Sequence, residues 1–179
     1  MPSWKIHEEW AVRFGVSREI ARKVNILIDM PERILGYKDP FVGLTHDMRR
    51  DTLHGFKMGL YLAAKFYGKE GVCAYCLHQI MDYLETWIRT RSQQLAFSEA
   101  SKRFRGISRV QRKKLMSAAL RGRRYRRREL TGSDIKELKE RLIEWCSKRE
   151  VPSEVLRFIL DNFTELLNDI TSDTSILTT

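Results

Sequence analysis

Four histidines, His7, His46, His54 and His78, lie in the first half of this 179-residue chain, and acids recur beside them. On a helix advancing about 100° per residue, Asp47, Asp51 and His54 fall within about 60° of one another, and so do His78, Asp82 and Glu85. The two stripes mirror each other across Gly68 and Lys69. An antiparallel pairing centred there brings His54 level with Asp82 or Tyr83, and Asp51 level with Glu85. Imidazoles and carboxylates from facing helices are the donors of a hydrolytic Zn, Mn, Fe or Mg site, where a bound water is acidified for attack on a phosphoester. The spacing therefore predicts a divalent metal held by His54, His78 and Asp82, with His7, His46 and Asp47 as further ligands. Asp51 and Glu85 complete the stripes as candidate catalytic groups, and Arg49 or Arg50 is placed to balance phosphate charge.

A purely structural reading of the same residues stays open. Acid and histidine stripes also occur as surface helix pairs, and these acids can neutralise Arg49, Arg50 or Arg89. Against it, residues 72–81 are mostly apolar, so His78 is expected inside, where an imidazole needs a partner. Cys73 and Cys76 form a CxxC close to His78. A structural zinc site calls for a second ligand pair, and a thioredoxin-type motif for a preceding strand. Neither is present in the sequence pattern, so both cysteines are read as core packing.

The elements that must carry these residues are helices. Glycine and proline are scarce, β-branched alternation is absent, and apolar residues recur at three and four, so an all-α antiparallel bundle of about six to seven helices is expected around a long central hairpin. A first helix buries Trp4, His7, Trp10, Ala11 and Phe14 and ends at Gly15, and a second, capped by Ser17, turns Ile20, Val24, Leu27 and Ile28 inward. Thr45 is the expected cap of the first hairpin helix, Gly68 its stop, and residues 71–91 the return. Ser133 and Asp134 open a later amphipathic helix carrying Ile135, Leu138, Leu142 and Trp145. Ser153 opens the last, with Val155, Phe158, Ile159, Phe163 and Leu166. By domain, residues 1–92 form a helical core, 93–130 a basic arm, 131–170 a helical pair packed on the core, and 171–179 a fraying tail.

Two all-helical hydrolase families are similar to parts of this pattern. The opening Met1-Pro2-Ser3-Trp4-Lys5-Ile6-His7 and the later run from Ala74 through His78 to Asp82 resemble the N-terminal Trp/His segment and HxxxD helix of zinc-dependent phospholipase C and its single-strand nuclease relatives. The order His7, His46-Asp47, Asp82 resembles that of HD-domain phosphohydrolases. Both resemblances imply a metal-dependent phosphoesterase, and both stop near residue 88. The phospholipase-type families bring further His ligands after the HxxxD helix, whereas no histidine follows His78 here.

Charge is unevenly placed. From Arg89 to Arg128 there are fifteen Lys or Arg against the single acid Glu99, whereas the remainder holds eighteen basic and twenty-two acidic residues. The net charge of +10 thus belongs to one segment. Lys102, Arg103, Arg105, Arg109, Arg112, Lys113, Lys114, Arg121, Arg123, Arg124, Arg126, Arg127 and Arg128 would cover every face of a helix. Like charge at that density raises the free energy of a compact state unless an anion neutralises it, and Arg favours bidentate phosphate contact. Tyr125, interleaved, can stack on a base. Nucleic acid is the expected partner, read without sequence specificity because no helix-turn-helix, zinc-finger or RNP signature is present. An acidic protein partner and an anionic membrane surface remain as alternatives, the latter thinly supplied with apolar residues. No run approaches the ~20 apolar residues of a transmembrane helix, and three cysteines without a disulfide framework fit a cytoplasmic protein. The expectation is a metal-dependent phosphodiesterase or nuclease-like hydrolase recruiting nucleic acid through a basic arm; the alternative is a non-enzymatic nucleic-acid-binding protein whose His and Asp residues are structural.

Overall fold

The chain is all-α. A computed structural model describes residues 3–30, 32–36, 53–103 and 130–172, and no strand occurs among them. The helices are α1 (Trp4–Phe14), α2 (Arg18–Asp29), the single turn α3 (Glu32–Leu35), α4 (Leu53–Arg103), α5 (Gly132–Lys148), α6 (Ser153–Asp161) and α7 (Phe163–Ser172).

Local chemistry sets the ends of the first two. Gly15 closes α1 in the left-handed region at φ 106°, its N–H returning to the last turn, a conformation that costs glycine little. The Ser17 hydroxyl then accepts from the Ile20 N–H and caps α2. Of the inward residues expected on these helices, Trp10, Ala11, Val24, Leu27 and Ile28 are buried, and His7 is buried with them.

α4 is the predicted hairpin. Gly68, at φ 60° and ψ −147°, breaks its helical path, and the two arms fold back on each other: the Phe56 ring meets the Tyr75 ring edge-on at 5.4 Å. The backbones approach tightly at Gly71, where an added Cβ would lie 2.5 Å from the Ala63 carbonyl oxygen and 2.6 Å from the Tyr67 Cβ. The return arm is the centre of the bundle. Residues from Cys73 to Asp82 are all buried, and a helix covered all round in this way has neighbours on every side. α2 packs on it most extensively, with α1, α5, α6 and α7 around the remainder.

The C-terminal helices differ from expectation in two details. Thr131, not Ser133, caps α5: its hydroxyl accepts from the Asp134 N–H, while the Asp134 carboxylate accepts from the Thr131 N–H at 3.1 Å. A reciprocal box satisfies two helix-end donors at once, which a single serine cap does not. The Thr131 hydrogen bonds, with Arg91 added, hold the Asp134 carboxyl below the usual carboxylate range. The last helix is two, α6 and α7, separated at Asn162, whose side-chain amide donates to the Phe158 carbonyl at 2.8 Å and so terminates α6. Leu138, Leu142, Val155, Ile159, Phe163 and Leu166 are buried as expected. The two ends of the structure are fastened together: Arg13 grips Glu165 with two hydrogen bonds of 2.9 and 2.8 Å, and the Trp10 indole donates to Asp169 at 3.0 Å. The expected Thr45 cap and the tail beyond Ser172 lie outside the described residues.

Because the carbonyl facing Gly71 is backbone, no rotamer change can relieve an added methyl. Gly71→Ala is expected to lower stability by about 1–3 kcal/mol, read as a fall in the urea midpoint. An unchanged midpoint would show that the arms are not pressed together there.

Candidate metal centre

Three buried side chains converge at the core of the bundle: His7 from α1, and His78 and Asp82 from the return arm of α4, each at most 3% exposed. Each offers one donor atom, and the three atoms lie within 4.8 Å of one another. His7 Nε2 is 3.7 Å from Asp82 Oδ1, His78 Nε2 is 3.4 Å from Asp82 Oδ2, and the two imidazoles stack with centroids 3.8 Å apart and planes inclined by 24°. His78 and Asp82 stand one turn apart on one face, and His7 occupies the inward face of α1 beside Trp10 and Ala11.

A fourth residue fixes the state of the group. Asn25, on the inward face of α2 and 2% exposed, holds its Oδ1 2.8 Å from His78 Nδ1. A carbonyl oxygen only accepts, so Nδ1 carries a proton, and in a neutral ring Nε2 would present a lone pair. That lone pair faces a carboxylate oxygen, an acceptor opposite an acceptor, and His78 Nε2 makes no hydrogen bond. The arrangement asks for a positive centre between them. A proton is one candidate.

A divalent ion is the other candidate, and the three donor atoms lie close enough together to share one. With ligand distances of 2.0–2.1 Å, neighbouring donors of a tetrahedral ion sit ~3.4 Å apart. The 3.4 and 3.7 Å separations are near that edge length. A ligating histidine normally donates its other N–H to an oxygen, which is what Asn25 receives. Two imidazoles and a carboxylate suit Zn, Mn or Fe.

The group has an outlet. A cavity of about 400 Å³ lies between α4 and α5, with Gln79 and Asp82 on one wall and Arg141 and Arg149 on the other.

Of the residues expected at the site, His7, His78 and Asp82 come together. Glu85 is buried farther along the same face of α4, but is not one of the three donors. His54 is exposed and outside the group. The reason is rotational: Phe56 takes the inward position at 0% exposure, and two residues on a helix turn by about 200°, which sends His54 outward. His46, Asp47, Arg49, Arg50 and Asp51 lie outside the described residues, as do Arg105, Arg109, Arg112, Lys113, Lys114, Arg121, Arg123, Arg124, Tyr125, Arg126, Arg127 and Arg128. Lys102 and Arg103 form the end of α4. Asn25 was not anticipated, although an amide among Ala21, Val24, Leu27 and Ile28 on an inward face was a visible signal.

The cysteines are core residues. Cys73, Cys76 and Cys146 are free and at most 3% exposed. Burial pushes all three thiols up, Cys146 to about 12, so they stay protonated at neutral pH.

Taken together, these features define a class of site: a buried two-histidine, one-carboxylate donor set in an all-helical bundle. Comparison of the chain with protein-family models, curated proteins and solved structures finds no match.

Two outcomes are expected. In the folded protein a thiol reagent at neutral pH modifies none of the cysteines within minutes, and all of them after denaturation; prompt modification would place a thiol at the surface. On zinc titration, His78→Ala abolishes binding and Asn25→Ala weakens it by roughly ten- to a hundredfold. Equal affinity in both variants and the parent would remove the donor set.

Proposed function

We propose that this chain is a metal-dependent phosphoester hydrolase, a phosphodiesterase or nuclease-like enzyme, that recruits nucleic acid through its basic segment. The observation that carries the reading is His78 Nε2, buried without a hydrogen bond, facing the Asp82 carboxylate at 3.4 Å, with His7 stacked alongside. When bound, a divalent ion would polarise a phosphoryl oxygen and acidify a water near neutral pH. The chain's own residues do the remainder. His7, His78 and Asp82 would hold the ion, and Asn25 would keep the proton of His78 on Nδ1 so that Nε2 stays available. Apolar residues of α4, among them Leu77, Ile80 and Met81, are fully buried around the donors. Such surroundings strengthen charge interactions by excluding water. The cavity beside Asp82 gives a phosphoester an approach. Arg and Lys between residues 102 and 128 would gather the polyanion by its phosphates, with affinity falling steeply as salt rises.

The charge surplus of that segment also favours a second reading, a non-enzymatic nucleic-acid-binding protein in which a protonated imidazole satisfies Asp82. Metal content separates the two. The hydrolase is expected to carry Zn, Mn or Fe on elemental analysis and to cleave bis(para-nitrophenyl) phosphate. A chelator should stop the reaction, and Asp82→Ala should slow it by roughly a hundredfold or more. Protein that takes up no ion and stays inert with added Zn, Mn or Mg leaves only the binding reading. Replacing Arg123, Arg124, Arg126, Arg127 and Arg128 by Gln should then weaken nucleic-acid binding and flatten its salt dependence.

A further inference from the structure

The cavity between α4 and α5 has the chemistry of a nucleotide site. Its volume, about 400 Å³, is that of a small-molecule pocket. Its lining joins two kinds of group, cationic and aromatic. Arg141 and Arg149 supply positive charge, and Tyr83, Trp87 and Trp145 supply flat aromatic surface. Arg141 commits Nε to Glu137 at 2.9 Å, and its side chain is 57% exposed. Arg149 is 7% exposed and its guanidinium lies 4.2 Å over the Trp145 ring. That stacking fixes the plane of the guanidinium at the cavity wall. Trp145 is itself stacked on Tyr83 at 5.1 Å and braced edge-on by Phe56 at 5.6 Å, so the aromatic wall is rigid before any ligand arrives. Gln79, 4% exposed, lines the same cavity, and its Nε2 has no acceptor.

We infer that this cavity binds a nucleotide, with its phosphate between Arg141 and Arg149 and its base against Trp87. Asp82, shared between the cavity wall and the donor group, places that phosphate next to the ion. In this respect the inference rests on the hydrolase reading, and it assigns the substrate class: a phosphoester with an aromatic base. Stacking on indole accepts any base, so the site selects nucleotides from other phosphoesters without reading sequence.

The test is a tryptophan-fluorescence titration of the full chain with adenosine monophosphate in the presence of a chelator, which separates binding from metal chemistry. A saturable quench is expected. Arg141→Gln should weaken affinity by roughly ten- to a hundredfold, the usual worth of a charged hydrogen bond, and Trp87→Leu should reduce both quench and affinity. Inorganic phosphate and adenosine should each bind more weakly than the monophosphate. Competition by a single-stranded oligonucleotide assigns the site to a strand, and its failure to compete assigns it to the free nucleotide; either outcome supports the inference. The inference is overturned by absence of a saturable quench, by phosphate binding as tightly as the monophosphate, or by Arg141→Gln melting normally with unchanged affinity. Protein that takes up metal and cleaves bis(para-nitrophenyl) phosphate yet fails these titrations keeps the hydrolase reading and loses this one. Protein that binds the monophosphate but takes up no metal does the reverse.

Discussion

A carboxylate sits in the driest part of this bundle. Asp82 is 2% exposed on a helix arm otherwise filled by Cys76, Leu77, Ile80, Met81 and Leu84, and removing such a charge from water costs several kcal/mol before any partner is counted. The two imidazoles beside it are what makes the position tenable, and each comes with demands of its own. His78 must keep its ring turned toward Asp82, which Asn25 enforces from α2. His7 must lie flat on His78, which requires α1 to dock at one depth and one rotation. Three helices are thus positioned by one buried negative charge, and the surrounding apolar packing serves to keep them there.

The sequence carried much of this, in proportion to how local each signal was. Gly68 as the hinge, Gly15 and Ser17 as helix ends, and the inward face of α2 follow from backbone preference and period alone, and all stand in the structure. The interior position of His78 was readable because its neighbours are apolar. His54 was misplaced because level pairing along a hairpin fixes height but not rotation, and Phe56 claimed the inward direction. The break at Asn162 was hidden because Phe158, Phe163 and Leu166 keep a helical period across it. Asn25 and the arginines at 141 and 149 had no partner nearby in sequence, so only tertiary packing could reveal what they face.

The donor group and the cavity meet at a single residue. Asp82 belongs to both, and the helix it stands on presents a different neighbour on each side: α1 and α2 toward the histidines, α5 toward the arginines. A central helix with unlike flanks lets one side chain connect a closed interior to an open one.

The clasp of Arg13 on Glu165 and Trp10 on Asp169 has a consequence for where the chain can be cut. α1, which delivers His7, is held from behind by α7, so removing the C-terminal helices would strip the back wall from the very helix that completes the donor set. The cavity likewise loses its opposite face without α5. The support of the centre is thus drawn from both ends of the described structure, from α1 to α7.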